Sequence, residues 1–138
     1  MITTFKDEYR FLSNFWPARV MLDGIIYPSV EHAYVAAKTT DKEIRKKIQN
    51  TYKAGDVKRL GRTFTLRDNW DLIKFQVMSD LVWQKFQHEE LKQLLLATGD
   101  QEIIEGNTWG DVYWGVCRGE GQNNLGKILM RVREELKA

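Results

Sequence analysis

A chain of 138 residues with 43 % hydrophobic and 29 % charged side chains suits one globular domain around one core. No apolar run reaches the roughly 18 residues that a membrane-spanning helix needs, and a net charge of +2 is too small to announce nucleic-acid binding alone. A single cysteine, Cys117, excludes an internal disulfide and a cysteine-based zinc site, and His32 and His88 sit too far apart to suggest a histidine-rich metal site. With no basic, apolar leader either, the expectation is a soluble, cytoplasmic protein that needs no metal or cofactor.

The first predicted element is a hairpin over residues 19–27. Arg19 to Leu22 and Ile25 to Tyr27 flank Asp23-Gly24, a pair that tolerates the positive φ angles of a tight turn. Ser29 then caps a helix running to Lys38. Asp41 caps a second helix with Ile44, Ile48 and Tyr52 on one face, and a short helix over 56–60 ends at Gly61. The longest helix spans about 68–87 and carries two adjoining apolar stripes. One is Trp70, Ile73, Val77 and Leu81; the other is Leu72, Phe75, Met78, Val82 and Phe86. A face that wide predicts the central core helix. A helix over 89–97 ends at Gly99. Ile103-Ile104 and Val112-Tyr113-Trp114 read as short strands, and a final helix from Asn123 or Asn124 turns Leu125, Ile128, Leu129, Val132 and Leu136 inward. The fold class is α+β, mostly α-helical, with a small β-sheet, in a single domain over 1–138.

Three stretches could hold chemistry. In the first helix, Glu31 and Lys38 are separated by seven residues, about 20° around the axis and roughly 10.5 Å along it. They share a stripe at the edge of the apolar face formed by Val30, Ala33, Tyr34 and Ala37. Partial desolvation there would raise the pKa of a carboxylate and lower that of a lysine, which suits acid–base and amine chemistry. The plainer alternative is an acid placed for the helix dipole and a lysine that snorkels.

In the second stretch, Phe11, Leu12, Phe15 and Trp16 surround Ser13-Asn14. This is a core-anchoring loop, or a place where an aromatic ring stacks on a ligand while Asn14 reads its edge. The third stretch, 108–126, crowds Trp109, Asp111, Tyr113 and Trp114 against the glycine-rich run from Gly119 to Gly126, with Glu105 and Glu120 as further acids. Its turn before the last helix could offer backbone N–H groups to an anion; a structural aromatic cluster is the alternative. His32 and His88 read as satisfied or surface residues, and Cys117 as a small buried hydrophobe. The cations from Lys42 to Arg67 (Arg45, Lys46, Lys47, Lys53, Lys58, Arg59 and Arg62 between them) form a solvated surface or a phosphate-facing patch.

Taken in order, these blocks resemble the NADAR family, also called YbiA-like. The matching residues are Phe11-Leu12-Ser13-Asn14-Phe15, Tyr27-Pro28-Ser29-Val30-Glu31-His32-Ala33-Tyr34 with Ala36-Ala37-Lys38, Gly61-Arg62, Trp70-Asp71, Val77-Met78 and Lys85-Phe86. They continue as Leu94 to Gly99, Ile104-Glu105-Gly106-Asn107, Asp111-Val112-Tyr113-Trp114-Gly115 and Gly121 to Met130. The resemblance spans nearly the whole chain. It implies a compact, mainly helical YbiA-like domain with N-glycosidase activity on a small ribosyl phosphate, in early riboflavin-pathway ribosylamino-pyrimidine phosphates. Removal of ADP-ribose from guanine bases in nucleic acid is the alternative that the family also offers.

On that resemblance Glu31 is the carboxylate that stabilises an oxocarbenium-like C1 or activates water, and Asp111 is a second acid. Lys38 orients phosphate or ribose, or traps the opened sugar as an imine. Phe15 or Trp16, with Trp114 or Trp109, holds the base, and Tyr34 is a further substrate-binding residue. Asn14 and Asn124 bond base or ribose. The turn over 121–126, with Asn123, Gly126 and the neighbouring Gly115, takes the phosphate. A non-catalytic binder of nucleotide or ADP-ribose, and a nucleic-acid-binding protein using the 42–67 patch, are the readings from other classes. Oligomeric state is left open.

Overall fold

The computed structural model describes all residues from Met1 to Ala138. Its elements are the antiparallel pair β1 (Pro17–Leu22) and β2 (Ile25–Ser29), then α1 (Val30–Ala37), α2 (Lys42–Gln49), α3 (Ala54–Leu60), α4 (Trp70–Lys85) and α5 (Glu89–Leu96). A two-residue parallel pair, β3 (Gly106–Asn107) and β4 (Val116–Cys117), precedes α6 (Asn124–Leu136). The mostly helical α+β expectation holds. The chain folds as two compact units, Asn14–Lys85 and Met1–Ser13 with Phe86–Ala138.

In the unit Asn14–Lys85, α1 is the hub: the hairpin, α2, α3 and α4 all pack on it. Its sequence explains this, because Val30, Ala33, Tyr34, Val35, Ala36 and Ala37 are all buried and the alanines let neighbouring backbones come close. The hairpin turn has positive φ at both Asp23 (50°) and Gly24 (81°), and Leu22 pairs directly with Ile25, as a primed two-residue turn requires. Ser29 caps α1, its Oγ accepting from the His32 amide at 3.1 Å. Asp41 caps α2 by accepting from the amides of Glu43 and Ile44. Arg45 leaves the basic surface altogether: it is buried, its Nε donates to the carbonyls of Ala36 and Thr39, and its Nη1 bonds Asp23 Oδ2 at 2.8 Å. It ties the end of α1 and the hairpin turn to α2.

Two sequence expectations fail in this unit. Tyr52 lies beyond α2 and is 89 % exposed, so Ile48 alone is fully buried on that face. On α4, Trp70, Met78, Leu81 and Val82 are buried, but Leu72 is 87 % exposed and Phe75 and Trp83 also face solvent. Neither predicted stripe is covered in full: Ile73 and Val77 of the first are half-buried, and Leu72 and Phe75 of the second are exposed. Helical spacing says which residues share a face; it does not say how wide a face the neighbours cover.

In the other unit, a 3-10 helix over Asp7–Leu12 buries Phe11 and Leu12, and the Phe11 ring meets Phe86 edge-on at 6.4 Å. Leu91 and Leu95 of α5 and Leu125, Ile128, Leu129 and Val132 of α6 are buried, while Leu136 is half-buried. Ile103 forms an isolated bridge with Ile2 rather than a strand with Ile104. Val112-Tyr113-Trp114 is not a strand: the amides of Tyr113 and Trp114 both turn to Asp111 Oδ1, so they have no partner strand to donate to.

Candidate active site

Glu31 and Lys38 occupy the two ends of α1 and are both half-buried, whereas every residue between them is buried. This is the core-edge placement expected from their spacing. The Glu31 amide donates to the Asn14 carbonyl at 3.1 Å, and Asn14 Nδ2 reaches Met78 Sδ at 3.5 Å, so Asn14 is held against α1 and α4. Phe15 and Trp16 follow it as exposed rings, while Phe11 and Leu12 before it are buried. The loop therefore both anchors and presents: its first apolar pair is core, its second is surface.

Lys38 Nζ lies 5.4 Å from the centre of the Tyr34 ring, within cation–π range. Tyr34 in turn packs against Trp70 at 5.2 Å. Burial lowers the Lys38 pKa below the usual lysine value; the Glu31 carboxylate opposes this, and the charges of Arg62, Lys58 and Lys74 add to the lowering. The outcome is an amine more readily neutral than a surface lysine, beside a carboxylate.

The stretch 105–126 is built differently. Asn107 clamps its loop: Oδ1 accepts from the Asp111 amide at 3.1 Å, and Nδ2 donates to the Asp111 carbonyl at 2.9 Å and to Glu105 Oε2 at 3.0 Å. Asp111 Oδ1 accepts from the amides of Tyr113 (3.2 Å) and Trp114 (2.9 Å). Trp114 is half-buried and stands edge-on to Tyr113 at 4.7 Å, while Trp109 is 60 % exposed. Gly115 is a packing glycine, since a Cβ there would collide with the Glu105 carbonyl and carboxylate.

Within the anion-binding turn expected over 121–126, four successive amides are already engaged by the chain itself. The amides of Gln122, Asn123, Asn124 and Leu125 donate to the carbonyls of Val112, Gly115, Tyr113 and Trp114 at 2.7, 3.2, 3.2 and 2.9 Å. Asn123 has a left-handed backbone (φ 54°) and spends its side chain on the chain itself, accepting from the Glu105 amide and donating to the Ile103 carbonyl, both at 2.9 Å. Asn124 is buried with Nδ2 on Gln122 Oε1, and a Cβ at Gly126 would strike the Ile103 carbonyl. The polar, glycine-rich composition thus closes a backbone interlock. Composition signals the need for unusual φ angles and close approach equally well whether a ligand or the chain itself makes that approach.

A family model described as the NADAR domain matches residues 3–137. The chain belongs to the NADAR family. Over 137 residues it is 41 % identical to "N-glycosidase YbiA" of Escherichia coli (strain K12), covering 95 % of this chain and 84 % of that one. A "Riboflavin biosynthesis protein" of Vibrio vulnificus is 39 % identical over 135 residues, 95 % of this chain but 36 % of the larger relative. The NMR structure of E. coli YbiA superposes with a TM-score of 0.84 and 38 % identity, covering 99 % of this chain and 87 % of that chain.

Within this NADAR chain, two ionisable residues have settings that composition did not reveal. Lys85 is 1 % exposed, and burial pulls its ammonium down to about 7. The signal was in the sequence: Lys85 falls three, four and seven residues after Val82, Leu81 and Met78, on the buried stripe of α4. His32 is buried and satisfied, as one of its two expected readings held. Its Nε2 bonds the Thr51 carbonyl at 2.7 Å and its Nδ1 meets Ser29 Oγ at 2.6 Å. With Nε2–H donating, Nδ1 accepts from the serine hydroxyl, which is the neutral tautomer; burial lowers its pKa accordingly.

Proposed function

We propose that this NADAR chain is an N-glycosidase that hydrolyses the ribosyl C1–N bond of a ribosylamino-pyrimidine phosphate of the riboflavin pathway. The reading is supported by the names of its relatives. The observation that carries the chemistry is Glu31 and Lys38 sharing the edge of one buried helix, each within electrostatic reach of the other.

In the proposed reaction the C1–N electron pair leaves with the aminopyrimidine nitrogen and C1 takes on oxocarbenium character. Glu31 stabilises that charge and takes a proton from the attacking water, whose oxygen bonds C1; the leaving nitrogen gains a proton. Lys38 orients the ribose beside Glu31. Its lowered pKa also leaves a neutral amine able to trap an opened sugar as an imine. Phe15 or Trp16, exposed beside Asn14, would stack on the pyrimidine, with Asn14 and Tyr34 lining its approach. Asp111 is assigned to holding the Trp114 loop, because its Oδ1 already accepts two amides. The setting is the reducing cytoplasm, in keeping with the lone buried Cys117.

The test is product analysis with a ribosylamino-pyrimidine phosphate. The wild type is expected to release a ribose phosphate and the free aminopyrimidine, and Glu31→Gln to lose about 100-fold or more in kcat while folded. Addition of borohydride during turnover separates the Lys38 roles: a stable adduct on Lys38 marks the imine. Intact ligand after incubation with wild type makes the chain a binder instead.

A second reading, ADP-ribose removal from guanine in nucleic acid, is favoured by the exposed cations Lys42, Lys46, Lys47, Lys53, Arg59 and Arg62. It predicts turnover of an ADP-ribosylated oligonucleotide that falls steeply with added salt.

A further inference from the structure

We propose that the substrate's phosphate monoester is held at the C-terminal end of α1, by Arg62, Lys58 and Lys74 around Lys38, and not by the glycine-rich turn before α6. The proposal rests on the N-glycosidase reading for its ligand and names where the charged end of that ligand sits.

Three segments converge on that end of α1. The first is the end of α3. Gly61 is pressed on Val35, where a Cβ would lie 3.0 Å from Val35 Cγ1, so the chain carries Arg62 out directly beside α1, one residue on. Lys58 is in the last turn of the same helix. The second is the irregular segment after α3. The Arg67 amide donates to the Lys38 carbonyl at 2.8 Å, and its Nη1 reaches the Ala37 carbonyl at 3.4 Å. The third is the first turn of α4. Trp70 packs on Tyr34 at 5.2 Å, and Lys74 stands one turn further on the same face.

Lys38, 5.4 Å from Tyr34, is at the centre of this arrangement. The charges of Arg62, Lys58 and Lys74 each reach its ammonium and disfavour it. Two acids reach the cluster: Glu31 acts on Lys38, and Asp71 bonds Lys74 Nζ at 3.2 Å. Asp71 is highly exposed, so that ion pair is worth little and an incoming phosphate can replace it. Gathering like charges around a half-buried lysine is unfavourable in the empty protein, and a phosphate dianion relieves it. A planar guanidinium with two ammonium groups is also a donor set suited to a phosphate.

The experiment measures kcat and KM for a ribosylamino-pyrimidine 5′-phosphate and for its dephosphorylated counterpart, in wild type, Arg62→Ala, Arg62→Lys and Lys58→Ala. The expected result is a rise in KM of about 10- to 100-fold for the phosphorylated substrate in Arg62→Ala, partly restored in Arg62→Lys, with a much smaller change for the dephosphorylated substrate. In parallel, inorganic phosphate is titrated into labelled wild-type protein. Amide shifts centred on Lys38, Arg62 and Lys74 support the subsite. Equal losses on both substrates, or shifts centred on 121–126, overturn it. Should wild type cleave neither substrate, the glycosidase reading fails, and the phosphate titration still judges the subsite alone.

Discussion

Lys38 Nζ stands 5.4 Å over the ring of Tyr34, and the two residues are one helical turn apart on α1. The lysine is thus bounded by an aromatic face, a carboxylate at the other end of the helix and a rim of cations. Its titration reads out all three. Glu31→Gln removes the group that opposes the lowering, so the Lys38 pKa is expected to fall further. Arg62→Ala removes the cation that lowers it most, so it is expected to rise. Nuclear magnetic resonance titration of the Lys38 side chain in the three proteins checks both directions; movement of the same sign in both variants would refute the arrangement.

Ser29 both caps α1 and donates to His32. Ser29→Ala is expected to cost about 1 to 3 kcal/mol in urea unfolding, the sum of a lost cap and an orphaned buried ring nitrogen. A companion effect is pH dependence. Burial holds the His32 pKa below the ordinary histidine value of 6.5, so the unfolded chain takes up a proton first as pH falls. Stability should therefore drop as pH falls through about 6.5 and level off once the folded protein's own His32 protonates. In His32→Gln that drop should shrink.

Lys85 acts with the same sign in a higher window. Its ammonium is pulled from 10.5 to about 7 by burial, so between those values the unfolded chain binds more protons than the folded one. Stability from this group is then expected to rise with pH across that interval. Lys85→Met removes the titration and should flatten the rise, giving its largest relative gain near neutral pH. Denaturant unfolding of wild type and variant at several pH values decides it; parallel curves would sink the idea.

Asp111 can be separated into structural and catalytic parts. Asp111→Asn keeps an oxygen that accepts from the Tyr113 and Trp114 amides, whereas Asp111→Ala leaves both amides without it. The alanine variant is expected to lose about 1 to 3 kcal/mol, and the asparagine variant to stay near wild type in both stability and kcat. A folded Asp111→Asn that loses activity as Glu31→Gln does would restore Asp111 as a catalytic acid.

Local chemistry made much of the fold legible. Asp23-Gly24 gave the hairpin because few pairs tolerate positive φ twice; Ser29 and Asp41 gave helix starts because their oxygens accept free amides; Gly99, at φ 67°, marked a helix end. These signals need only a few neighbouring residues. Val112 to Trp114 looks like a strand for the same local reason, and there the local reading fails, because its carbonyls accept from residues ten or eleven positions later in an irregular interlock.

The site divides the same way. Sequence by itself determined the Glu31–Lys38 stripe and its family, since helical geometry and an ordered set of motifs are both written along the chain. Only the tertiary structure decided that the amides of 122–125 are consumed by backbone carbonyls, that Arg45 is buried against Asp23, and that Arg62, Lys58 and Lys74 gather around Lys38. Those are properties of pairs distant in sequence. Whether an N–H or a cation is available to a ligand depends on what the fold brings against it, and no local pattern encodes that.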